Sequence, residues 1–271
     1  MTKAIPTPLD GAATGAPALD RLARGPLLIG LDFDGTLAPI VDRPDDARLD
    51  ATMRERLKRL VSLVPTAVVS GRDLDDLGAR VAVPGVILVG SHGLEIARPD
   101  GSVDRAEGLE QSDAELERLV DRLRDATRGL AGVLVEPKRH SVAIHWRLAA
   151  PDDELAAGRI VAQAAFAFPE FMVGRGKMVA EFRPAIDRHK GGAINLLRTA
   201  AASGGSSPTV LYIGDDVTDE DAFGILDRTR DVGVLVATPP RATAAGWWLP
   251  DPDAVGGFLD RLIEARAVAT P

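Results

Sequence analysis

Two carboxylates stand one residue apart in LLIGLDFDGTLAPI, where an apolar run from Leu27 ends in Asp32 and Asp34, followed by Gly35 and Thr36. Like charges that close repel, and each is costly to take out of water. A cation, a shared proton, or a reaction that uses both groups would offset the cost. Other apolar runs end in the same way. Ser70-Gly71-Arg72 follows Thr66–Val69, Gly90-Ser91-His92-Gly93 follows Val86–Val89, and Gly214-Asp215-Asp216 follows Val210–Ile213. Lys190 stands beside Gly191-Gly192 at an expected helix start. An all-oxygen set of Asp32, Asp34 and Asp215 suits Mg²⁺ rather than zinc. One aspartate is then free to act as a nucleophile, as in aspartyl-phosphate chemistry. A second, two residues on, can protonate a leaving oxygen and later activate water. Ser70 offers a hydroxyl and a backbone N–H to phosphoryl oxygens. Lys190 adds a cation where the helix dipole already favours anions. Taken singly, each piece also reads as a turn, an N-cap or a surface lysine; their shared placement at the ends of apolar runs is what points to phosphoryl transfer.

The elements that must position these residues are short buried strands. Leu27–Leu31, Thr66–Val69, Val86–Val89, Val210–Ile213 and Val232–Val236 are continuous rather than alternating runs, as expected where both faces of a parallel sheet are covered. Helical patterns lie between them at Ala51–Leu63, Leu74–Val81, Gly192–Ala202 and Asp219–Leu226. The βαβ order predicts an α/β fold, an open Rossmann-like sheet. In such a sheet the carboxyl ends of the strands converge on one crevice, where ligands bind. The middle of the chain differs. Helical Ser112–Leu130 and Pro151–Ala167 alternate with hairpins at residues 133–146 and 171–182, which predicts a small inserted α+β unit; extra strands on one large sheet is the alternative. The expected division is a mobile tail leading to a short helix at 1–25, a core at 26–108 and 182–271, and an insert at 109–181.

The bulk composition narrows the class. The 271 residues carry a formal charge of −8, which disfavours non-specific nucleic-acid binding but leaves room for a local anion pocket. Aromatics make up only 4%, so aliphatic side chains must build the core. The absence of cysteine removes disulfides, thiolate metal sites and a cysteine nucleophile, and fits a cytoplasmic location. No apolar stretch reaches transmembrane length, so no membrane partner is expected. No obligate protein partner is readable.

LDFDGTL, SGR, a lysine beside Gly-Gly and GDDVTDEDAF, in that order, resemble the four motifs of the haloacid dehalogenase-like hydrolases. The resemblance implies Asp32 as nucleophile, Asp34 as general acid and base, and Ser70 and Lys190 as phosphoryl-binding groups. It implies Mg²⁺ held by Asp32, the backbone carbonyl of Asp34, and Asp215, with Asp216 and Asp219 orienting the ligands and the lysine. It makes the middle unit a C2-type cap over the site.

In the family it resembles, such an inserted cap reads the leaving group. Glu136 and Lys138 in one hairpin, and Lys177 and Glu181 in or beside the other, suit a polyol, whose hydroxyls both donate and accept; surface salt bridges on hairpin tips are the plainer reading. GSHGLE, VEPKRHSVAIHWR and GKMVAEFRPAIDRHKG resemble the trehalose-6-phosphate phosphatase family, from about Leu28 to Val232–Val236. That resemblance implies a phosphorylated disaccharide as substrate. It carries Glu136, Lys138 and Glu181 over as glucose-binding residues, with Lys177, Arg183, His92 and Arg72 supporting. Trp146 replaces a frequent tyrosine, and Pro137 stands where a polar residue is common, which bears on the aim of Lys138. Sucrose 6-phosphate is the alternative substrate, and a non-catalytic sugar-phosphate sensor the alternative class, which the presence of both Asp32 and Asp34 opposes.

Overall fold

The computed structural model describes residues 3–10, 12–41, 43–176, 178–202 and 205–269. They form two compact units, Met1–Asp104 with Arg188–Pro271, and Arg105–Asp187. In chain order the first runs β1 (Thr7–Pro8), α1 (Ala12–Ala23), β2 (Leu27–Asp32), α2 (Ala51–Leu63), β3 (Thr66–Val69), α3 (Leu74–Val81), β4 (Ile87–Gly90), β5 (Glu95–Ala97) and β6 (Val103–Arg105). The second unit holds α4 (Leu109–Thr127), β7 (Leu134–Pro137), β8 (Val142–His145), α5 (Pro151–Ala167), β9 (Phe171–Gly176) and β10 (Val179–Pro184). The chain then returns through α6 (Lys190–Ala201), β11 (Thr209–Gly214), α7 (Glu220–Gly224), β12 (Val232–Val236), β13 (Trp247–Leu249) and α8 (Pro252–Ala269).

The large sheet has the order β1-β13-β12-β11-β2-β3-β4-β5-β6. From β13 to β4 all pairings are parallel; β5 turns back antiparallel on β4. The continuous apolar runs follow from burial on both faces. Leu27, Ile29 and Leu31 of β2 join a layer with α1, α2 and α8, whereas Leu28 joins the opposite layer with Ile194 of α6 and Phe223 of α7. Gly30 sits where α6 crowds the sheet: a Cβ there would stand 2.6 Å from Ile194 Cδ1 and 2.7 Å from Tyr212 Cδ2. From β2 the chain steps outward through β3 and β4, then restarts at β11 on the other side of β2. The switch point lies between β2 and β11, and a crevice opens at their carboxyl ends.

Several elements differ from expectation. In place of a mobile tail before the expected short helix, β1 pairs with Trp247–Trp248; the helix itself is α1, which buries Ala18 and Leu22 in the same layer as α8. The four-residue spacing of that apolar pair puts both on one helix face. The α6 helix starts at Lys190 rather than Gly192, because His189 is the N-cap and its ring nitrogen accepts from the Gly192 N–H. The helix expected over Asp219–Leu226 is a 3₁₀ turn, Val217–Asp219, followed by the short α7.

In the second unit β7-β8-β10-β9 make a separate antiparallel sheet, so these strands are not an extension of the large one. One face is covered by the helices. Leu116, Leu119 and Leu123 of α4 and Val161 and Ala164 of α5 pack with Val142, Ile144, Ala180 and Phe182. The alternation of β10 sends Glu181 and Arg183 to the opposite, helix-free face.

Candidate active site

Asp32 is the last residue of β2, Ser70 the first after β3, and Asp215 the first after β11. Parallel pairing brings all three to one edge. Gly35, at φ +81°, permits the turn that carries Asp34: a Cβ there would lie 2.2 Å from Asp215 Oδ2. Lys190 Nζ donates to Asp32 Oδ1 at 2.7 Å and to Asp219 Oδ1 at 2.7 Å. The Tyr212 hydroxyl donates to Asp219 Oδ1 at 2.7 Å, and the Asp216 N–H donates to Asp219 Oδ2 at 2.9 Å. One carboxylate oxygen from each of Asp32, Asp215 and Asp219 falls within 4.8 Å of the others, a cluster that can hold a metal ion.

The electrostatics of the cluster suit a cation. Burial pushes the Asp32 carboxyl well above the usual range; Lys190 opposes this, while Asp219 and Asp215 add to it. Burial likewise raises Asp215, to about 6, with the Asp219 and Asp216 charges adding and Asp32 and Lys190 opposing. Burial alone would lower Lys190, but the Asp32 and Asp219 carboxylates raise it, so the ammonium form persists. A divalent cation fits this donor set. Asp215 Oδ1 is buried with no hydrogen-bond partner, and every donor is a hard oxygen. Asp219 has both oxygens committed to Lys190, Tyr212 and the Asp216 amide, which makes it an orienting group. Asp216 itself is exposed and caps the 3₁₀ turn reciprocally with Asp219.

Three expectations change here. The Asp34 side chain does not join the cluster. Both its oxygens accept from Arg72, through Nε and Nη2 at 2.7 Å each. Arg72 is therefore engaged within its own unit, with Asp34 and with Asp76 Oδ2 at 2.9 Å, rather than presented to a substrate. The Ser70 N–H is spent on the sheet, donating to the Val89 carbonyl at 2.9 Å. Its buried hydroxyl, which accepts from the Arg72 N–H at 3.1 Å, is the group left to donate. His92 sits in the 3₁₀ turn after β4 at φ +58°, its ring so close over Gly71 that a Cβ there would meet Nε2 at 2.5 Å.

The second unit gathers a polar row on its helix-free face. Glu136 on β7 and Glu181 on β10 both lie opposite Ala143 of β8, and Glu181 also lies opposite Gly174 of β9. Lys138 Nζ reaches across to Glu181 Oε1 at 2.8 Å, joined by the Ser141 hydroxyl at 2.9 Å. Lys138 thus bridges two hairpins rather than pairing within its own tip, and Pro137 ends β7 without diverting it. His145 Nε2 lies 2.7 Å from Glu136 Oε2. Arg183 shares the face, its Nη2 at 3.3 Å from where a Gly174 Cβ would stand. Lys177 lies outside the described residues.

Sequence reasoning missed Tyr212, His145 and Ser141. Tyr212 carried a signal: it is the one tyrosine of the chain and interrupts a strand run with a hydroxyl. His145 and Ser141 carried none, because cross-strand register decides their partners.

A trehalose-phosphatase family model matches residues 30–253. The chain is 40% identical over 253 residues to trehalose-phosphate phosphatase of Mycobacterium avium, covering 90% of this chain and 64% of that one. It is 35% identical over 248 residues to trehalose-phosphate phosphatase B of Arabidopsis thaliana, covering 88% and 66%. It therefore spans just under two thirds of these relatives' own length. Its fold resembles the C-terminal domain of a C. albicans trehalose-6-phosphate phosphatase (TM-score 0.77, 22% identity, 97% of this chain and 99% of that one). It also resembles a haloacid dehalogenase-like hydrolase of Bacteroides thetaiotaomicron (TM-score 0.64, 14% identity, 88% and 100%). Among the described residues no helix is long and apolar enough to cross a membrane.

Proposed function

The chain belongs to the trehalose-phosphatase family, and from that membership we propose that it hydrolyses trehalose 6-phosphate to trehalose and phosphate. The observation that carries the reading is the buried Lys190–Asp32 contact beside Asp215, at the switch point of a parallel sheet.

Mg²⁺ is the cation that this oxygen-only set fits, and the Asp32 and Asp215 carboxylates and the Asp34 main-chain carbonyl would hold it. When bound, it offsets the carboxylate repulsion and the charge of the phosphoryl oxygens. Asp32 attacks phosphorus in line, forming a bond from its carboxylate oxygen while the bond to the sugar 6-oxygen breaks. Lys190 holds Oδ1 of Asp32 in place and balances charge around the phosphoryl group, as does the Ser70 hydroxyl. Asp219 and Tyr212 fix where Lys190 points. Asp34, as the acid, gives its proton to the departing 6-oxygen. The resulting carboxylate then takes a proton from water, which attacks the phospho-aspartate and releases phosphate. Asp34 is side-chain exposed at 40%, open enough to reach both the leaving group and water.

Glu136, Lys138 and Glu181 serve as the sugar-binding row. Two carboxylates and an ammonium, with the small Ala143 between Glu136 and Glu181, offer both acceptors and donors to hydroxyls. Phosphate release with Mg²⁺ across trehalose 6-phosphate, sucrose 6-phosphate, glucose 6-phosphate and 4-nitrophenyl phosphate tests the proposal. Strong preference for trehalose 6-phosphate is expected. Even activity over the panel would retain the phosphatase chemistry and remove the sugar assignment.

A further inference from the structure

The grip of Arg72 on Asp34 is the first link of a longer chain. Arg72 spends Nε and Nη2 on the two Asp34 oxygens and Nη1 on Asp76 Oδ2. Its guanidinium carbon also lies over the fully buried Phe33, 5.5 Å from the ring centre. Asp76 in turn takes Arg80 Nε on both oxygens at 2.8 Å. Arg80 Nη1 then donates to the main-chain oxygens of Asp45 at 3.1 Å and Ala47 at 2.9 Å. The Arg72 and Arg80 side chains are 12% and 9% exposed, whereas Asp34 and Asp76 are 40% and 39% exposed, so the guanidinium groups are held while the carboxylates stay partly open to screening.

Spacing makes the chain possible. Asp76 and Arg80 stand four residues apart on α3 and so lie along one line of the helix surface, while Arg72 precedes the N-cap Asp73, in the turn after β3, and reaches Asp76 from there. Charge alternates along it from Asp34 to Arg80. Asp34 itself sits on a turn, where a short side chain with two free torsions has several staggered rotamers open to it. A bidentate fork removes that freedom only if the guanidinium is itself held. Asp76 holds its far edge and Phe33 its face. We infer that Asp76 and Arg80 are positioning residues for Asp34: through Arg72 they fix the direction in which the acid presents its carboxyl, so helix α3 governs leaving-group protonation without touching substrate. A purely structural role, pinning the loop at 45–47 to α3, would not need the Arg72 link.

The inference rests on the reading of Asp34 as the general acid. The test is kcat/KM for trehalose 6-phosphate, phenyl phosphate and 4-nitrophenyl phosphate in Asp76→Ala, Arg80→Gln, Asp76→Glu and, as benchmark, Asp34→Asn. This parameter ends at formation of the phospho-aspartate, where Asp34 acts only as an acid. Nitrophenolate leaves without a proton; phenolate and the sugar oxygen need one. We expect Asp76→Ala to lower kcat/KM about tenfold for trehalose 6-phosphate and phenyl phosphate, and by no more than about twofold for 4-nitrophenyl phosphate. Arg80→Gln should show the same pattern more weakly, and Asp76→Glu should restore it. Equal losses on all three esters would make the chain structural and overturn the inference. A split in Asp34→Asn without one in Asp76→Ala or Arg80→Gln overturns the inference and leaves the acid assignment standing. No split in Asp34→Asn overturns both. If Asp76→Ala does not fold, Arg80→Gln decides.

Discussion

Lys190 and Asp32 stand 158 residues apart in the chain and meet at 2.7 Å, with side chains 3% and 6% exposed. An ion pair this deep is strongly destabilising when only one partner is removed. Lys190→Met leaves Asp32, Asp215 and Asp219 together with no cation from the protein. We expect urea unfolding of the metal-free variant to show a loss of about 3 kcal/mol or more, together with loss of phosphate release. A variant as stable as the parent would mean that the carboxylates share protons and do not depend on the lysine.

Asp32→Asn replaces the nucleophile with an amide that cannot form the phospho-aspartate. Turnover should fall to background on every ester, and the intact mass of acid-quenched protein should show no covalent phosphate. Substantial remaining activity would place the nucleophile elsewhere.

The raised Asp215 carboxyl predicts how stability and Mg²⁺ binding change with pH. Its value, pushed up from an ordinary 3.8 to about 6 chiefly by burial, means that between those limits the folded chain binds more protons than the unfolded one. The contribution of this group to metal-free stability therefore declines as pH rises from about 4 to about 6, and is lowest above that. A cation binds the ionised form, so added Mg²⁺ should raise the melting temperature more at about pH 7.5 than at about pH 5. Asp215→Asn should flatten both trends. Equal Mg²⁺ shifts at the two pH values would count against Asp215 as a ligand.

Glu181 is tied to Lys138 and Ser141 on the helix-free face of the second sheet. Glu181→Ala should raise KM for trehalose 6-phosphate by about tenfold or more while 4-nitrophenyl phosphate kinetics change little. Equal losses on both substrates would make Glu181 part of the packing only.

The chemistry was readable early because its residues sit where strands end. A run such as Leu28–Leu31 is buried on both faces, so its apolar character is continuous, and the first polar residues after it mark the carboxyl edge. The extents of Thr66–Val69, Ala51–Leu63, Leu74–Val81 and Pro151–Ala167 were legible for the same reason: burial and helix period leave a regular imprint. The edge strands and α8 were not read. Thr7–Pro8 is too short for a pattern and exists only by pairing with Trp247–Trp248.

What the sequence by itself determined is which groups are present and on which elements: Asp32, Asp34, Ser70 and Asp215 at strand ends, Lys190 at a helix start, and the glutamates of the hairpins. Only the tertiary structure decided their partners. It sent the Asp34 side chain to Arg72 rather than to the acidic cluster, spent the Ser70 N–H on Val89, and carried Lys138 across β8 to Glu181. The physical reason is that burial and periodicity are summed along a segment and leave a trace in composition, whereas a hydrogen bond is settled by register and distance between segments far apart in the chain.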